Sequence, residues 1–81
     1  MLHFVTTADG LAACLRHLRE TDTVMVSGTA LTAYAMTTPH TTGRVLCFEA
    51  DAERLGIESI EPVSYTEWVS MLFEQPVQTW S

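Results

Sequence analysis

The sequence contains no lysine. Its basic side chains are four arginines, Arg16, Arg19, Arg44 and Arg54, scattered along the chain and set against ten acidic residues, for a net charge of −6. Proteins that grip phosphate backbones present a basic patch. Its absence argues against direct nucleic-acid contact and for protein or small-molecule partners. Most of the acidic surface needs no role beyond solubility. Long apolar runs are missing too, so no window reads as a membrane span. The start, MLHFVTTADG, lacks a basic region before an apolar core. That predicts no signal peptide and a cytoplasmic location. Cysteine is scarce: Cys14 and Cys47 show neither metal-ligand spacing nor a C-x-x-C pattern. In a reducing compartment they are expected to be free thiols. There is no GxGxxG or Walker pattern, and no cofactor is predicted.

What is present describes a globular chain, with 47% hydrophobic and 17% charged residues. Its 81 residues predict one domain, residues 1–81. A chain this size buries only a little over ~60% of its unfolded surface, so help from a partner chain would suit it.

Leu2 to Thr6 reads as a first strand. Thr7 and Asp9 then offer helix caps. Leu11, Cys14, Leu15 and Leu18 repeat at helical spacing, predicting an amphipathic helix of about three turns. Thr23 to Ser27 is a second strand, whose valines around Met25 suit a strand covered on both faces. Gly28 and a short helix over Leu31 to Met36 follow, and then a polar loop, Thr37 to Gly43. Arg44 to Phe48 is the third strand, and Asp51 to Leu55 a helical turn or two stopped by Gly56. Ile60 to Val63 is a fourth strand, placed at an edge by Pro62.

Ser64 and Glu67 then spell a capping box. Tyr65, Trp68, Val69, Leu72 and Phe73 form one wide apolar stripe, expected to cover a sheet face. Pro76 closes this helix, and the tail Val77 to Ser81 is expected to dock through Trp80. The alternation β-α-β-α-β-α-β-α predicts a three-layer α/β fold: a mostly parallel four-stranded sheet with helices on both faces.

In open α/β sheets, sites lie beyond the carboxyl ends of the strands. Here those ends are Thr6-Thr7, Ser27-Gly28, Glu49 to Asp51 and Ser64-Tyr65, which form no known motif. Gly28 alone reads as a tight strand-to-helix turn. Glu49 and Asp51 read as cap and loop residues more readily than as a catalytic pair. His3, His17 and His40 lack ligand spacing, so no metal site is predicted. His3, between Leu2 and Phe4, reads as a satisfied, partly buried histidine; His17 as an exposed helix residue; His40 as a loop residue. Cys47, inside RVLCF, reads as core. Cys14 has two readings: a buried cysteine on the Leu11/Leu15/Leu18 face, or a thiol activated by Arg16, His17 or Arg19.

Several segments together resemble the TusB/DsrH family. They are Met1-Leu2-His3, the helix Leu11-Ala12-Ala13-Cys14-Leu15, the turn at Gly28, Arg44-Val45, Gly56-Ile57, Val63 to Trp68 and the closing Gln78-Thr79-Trp80. The resemblance implies a DsrE-like α/β fold. It also implies a heterohexamer with sister subunits of the TusC/DsrF and TusD/DsrE type, and exchange with sulfur-carrier proteins. Persulfide sulfur would pass through that complex towards 2-thiouridine at the tRNA wobble position or, in the DsrH-type setting, serve oxidation of stored sulfur. The relay cysteine belongs to the TusD/DsrE subunit, and this chain has none from Met36 to Gly43. The expected role is therefore mainly structural and accessory, without catalysis by the chain alone. Cys14 matches a helix cysteine of DsrH-type members, which makes it the candidate sulfur acceptor.

The chain departs from the family in a compressed segment between Tyr34 and Arg44, and in Ser64-Tyr65 where Asp-Tyr is common. Two other readings compete: a stand-alone enzyme or small-molecule binder using the strand-end loops, and a small structural α/β module with inert cysteines.

Overall fold

A computed structural model describes residues 1–37 and 43–80. Residues 38–42, where a polar loop with His40 is expected, lie outside the described residues. Strands β1 (Leu2–Val5), β2 (Thr23–Val26), β3 (Arg44–Phe48), β4 (Glu61–Val63) and β5 (Val77–Trp80) alternate with helices α1 (Ala8–Leu15), α2 (Gly28–Thr37), α3 (Glu49–Leu55) and α4 (Tyr65–Glu74). The sheet order is β4-β3-β2-β1-β5, and all four pairings are parallel.

The α/β alternation is as expected, but the sheet has five strands instead of four and is parallel throughout. The tail is itself the extra strand: Leu2 pairs with Val77 and Val5 with Trp80. A docking tail and an added strand bury the same Trp80, and the sequence does not distinguish them. Pro62 sits in β4, at an edge of the sheet as expected, where its missing N–H costs no ladder bond.

Period-two alternation divides the core between two faces. Val5, Val24, Val26 and Cys47 pack with Leu11 and Cys14 of α1, Ala30 and Leu31 of α2, and Ala52 of α3. Leu2, Met25, Leu46 and Phe48 pack with Trp68 of α4. Helices therefore cover both faces, three on one and one on the other.

Local signals fix the helix boundaries. Thr7 caps α1 by accepting a hydrogen bond from the Gly10 N–H at 3.0 Å. This helix starts after Thr7, one of the two expected caps, but is shorter than expected, ending at Leu15, so Leu18 packs on the core from the following turn. Gly28 has φ +58°, and a Cβ there would lie 2.9 Å from the Thr6 carbonyl oxygen. Both facts demand glycine. Gly56 ends α3 in the left-handed region. At α4, Ser64 and Glu67 form the reciprocal capping box, with bonds of 3.1 and 3.2 Å.

The apolar stripe of α4 is not used as expected. Trp68 is buried, packed against Phe4 and Phe48, with Met71 beside it. The face that meets the sheet is centred between Trp68 and Met71, so at about 100° per residue Val69 and Phe73 point away and Leu72 stands at its margin. Phe73 is 87% exposed. Among the described residues, no helix is long and apolar enough to cross a membrane.

Candidate functional site

Three places compete as a site: the cysteines, the strand-end loops, and a recess beside β5.

Cys14 and Cys47 are both free and fully buried, in the core between the sheet and α1 to α3. Burial, reinforced by the negative charge of Asp22, pushes the Cys14 thiol up to about 11. Burial, with Asp51 adding, also raises Cys47. Neither thiol receives the cationic help that makes a reactive cysteine. His17 lies beyond the end of α1, exposed, with its ring stacked on Trp80.

The strand-end residues do not converge. Glu49 and Asp51 lie in the first turn of α3, where negative charge suits the helix dipole, and Asp51 pairs with Arg54 at 3.0 Å. A 150 Å³ hollow lies among Phe48, Glu49, Ala50, Val63, Ser64 and Tyr65. It offers one carboxylate, that of Glu49, with no histidine or cationic side chain beside it. Among the described residues, no three His, Cys, Asp or Glu side chains gather as a metal site.

The third place is a 440 Å³ recess lined by His3, His17, Arg19, Asp22 and Trp80, with Met1 and Gln78 at its edges. Gln78 lies beside His3 in the register, and Trp80 beside Val5. The early end of α1 leaves the His3 level of the sheet open. At its floor the Trp80 indole N–H donates to His3 Nδ1 at 3.0 Å, and His3 Nε2 meets Asp22 Oδ2 at 3.1 Å. An indole N–H can only donate, so Nδ1 accepts and Nε2 carries the proton. His3 is buried and satisfied at both nitrogens, as its strand position suggests.

Asp22 also accepts from the Arg19 backbone N–H at 3.1 Å and the Met1 amine at 3.2 Å. Burial alone would raise its carboxyl. The bonds from His3, Arg19 and the amine outweigh burial and bring it down to about 2. An Asp–His pair suggests a general base, but the indole occupies the nitrogen a base would use. The sequence pointed to His3 and Trp80 separately. It gave no sign of Asp22, because contacts 19 and 77 residues apart leave no local pattern.

One surface stands apart. Tyr65, Val69, Leu72 and Phe73 form an exposed apolar stripe on α4, 38 to 87% accessible. From residue 55 onward the chain carries Glu58, Glu61, Glu67 and Glu74 and no arginine, lysine or histidine.

The chain matches no protein-family model and no curated protein.

Proposed function

We propose that this chain is an accessory subunit of a heterohexameric sulfur-relay complex of the TusBCD/DsrEFH kind. Such a complex is cytoplasmic and passes persulfide sulfur towards 2-thiouridine at the tRNA wobble position. The sequence resemblance supplies the family. The observation that carries the subunit role is the exposed stripe of α4, since an apolar helix face of this kind marks an interaction surface. Its charged neighbours on the helix are Glu67 and Glu74. A second copy laid on the same face would bring carboxylates together. A different chain with an apolar groove rimmed by Arg or Lys fits better, and that favours a heteromer.

The role is mainly structural. If Cys14 holds sulfur, its thiolate attacks the outer sulfur of a donor persulfide, and the donor leaves as a thiolate. Cys14 then carries the persulfide, and no external oxidant is needed. With the thiol buried and raised to about 11, this step requires assembly to open the α1–α2 side. The same burial favours a second reading, a structural α/β module whose cysteines are inert.

Phe73→Glu separates assembly from folding. Phe73 is 87% exposed, so the substitution should leave stability within about 0.5 kcal/mol and abolish co-purification with sister subunits. A variant that still assembles in full would remove the α4 face from the account.

A further inference from the structure

We infer that His3 is a proton-operated latch for the C-terminal strand β5. The inference rests on the recess geometry and is independent of the relay reading.

β5 is held weakly. Val77, Gln78 and Thr79 are exposed and Trp80 is half-buried. Among the described residues the strand is an edge, paired with β1 alone. Its backbone bonds include Leu2 N–H to the Pro76 carbonyl at 3.1 Å and Thr6 N–H to the Trp80 carbonyl at 3.2 Å. Its directed side-chain tie among the described residues is the indole N–H on His3 Nδ1.

The other imidazole nitrogen already carries a proton towards Asp22, so a second proton must enter at Nδ1. Two N–H groups then face each other across 3.0 Å, and the indole has to leave. Proton uptake also has a partner: cationic His3 gains the Asp22 carboxylate 3.1 Å away. The latch therefore exchanges a Trp80–His3 hydrogen bond for a His3–Asp22 ion pair.

Among the described residues, the other charged or titratable groups around His3 are the Met1 amine just before β1, and His17 and Arg19 from the segment after α1; β5 contributes neutral Gln78 and Trp80. The amine and Arg19 oppose the added charge. Cationic His17, stacked on the indole at 5.9 Å between ring centres, would hold Trp80 in place, so the two histidines act in opposite directions. Release of β5 uncovers the hydrogen-bonding edge of β1.

The test is NMR on the whole chain between about pH 5 and 8, the range in which histidines titrate. Imidazole nitrogen shifts report the His3 tautomer and its protonation; hydrogen exchange, corrected for the intrinsic pH effect, reports opening. The expected result is an Nε2–H tautomer at high pH. As His3 protonates, the Trp80 indole N–H and the β1–β5 amides should lose protection together by about five- to tenfold, the value of one hydrogen bond. The β2–β3 amides should hold, and His17→Asn should leave the coupling intact. An indole N–H that stays protected through His3 protonation overturns the latch. So does loosening that follows His17, or a His3 that takes no proton before the whole chain unfolds.

Discussion

At the scale of single residues, the two cysteines and Asp22 are set by what surrounds them. For Cys14, a shift from about 9 to about 11 lowers the thiolate fraction near neutral pH about a hundredfold, before burial is considered. Iodoacetamide at mildly alkaline pH should therefore label folded Cys14 at least about a hundredfold more slowly than the unfolded chain, as read by intact mass. Labelling at the unfolded rate would show that α1 opens readily, and would favour Cys14 as a sulfur acceptor. The linkage sign follows from the direction of the shift. A raised thiol contributes stability that is complete below its unfolded value and lost as pH rises towards about 11. Asp22 works at the other end. Its folded value is lowered to about 2, so its contribution is complete above about pH 4 and lost as pH falls towards the folded value. Asp22→Asn should lower Tm at neutral pH and flatten the acid limb of a Tm-against-pH curve. An unchanged acid limb would mean that the bonds to His3, Arg19 and the Met1 amine do not hold the carboxylate.

At the scale of elements, α4 has one buried anchor and one cap. Trp68→Ala should cost about 3–5 kcal/mol, because its ring fills the space between Phe4 and Phe48. Ser64→Ala should cost about 1 kcal/mol. Denaturant titration checks both, and equal costs would contradict the packing described. The capping box, the Gly28 turn, the Gly56 stop and the edge position of β4 were legible because each depends on a few neighbouring residues. The length of α1 was not, since Leu18 keeps the helical spacing although the chain has already turned. Nor was the rotation of α4: Trp68 and Phe73 are equally apolar, and only the aromatic cluster on the opposing strands selects Trp68. The fifth strand was hidden for a related reason. Gln78 and Thr79 are polar, as an edge strand allows, and its partner Leu2 lies 75 positions away.

At the scale of the molecule, an all-parallel sheet holds helices on both faces and leaves one of those helices half unused. A domain of this length has about 4–12 kcal/mol of stability, so burial of Val69, Leu72 and Phe73 in an interface would be a large addition. The acidic charge raises the cost of self-association and leaves a basic-rimmed partner favoured. Native mass spectrometry tests the subunit role. The chain would be tagged, purified under mild conditions from its own host, and compared with Phe73→Glu. The expected result is equal copies of this chain and two different sister chains, with the sisters lost in the variant. A chain that appears alone, or only with copies of itself, would contradict it.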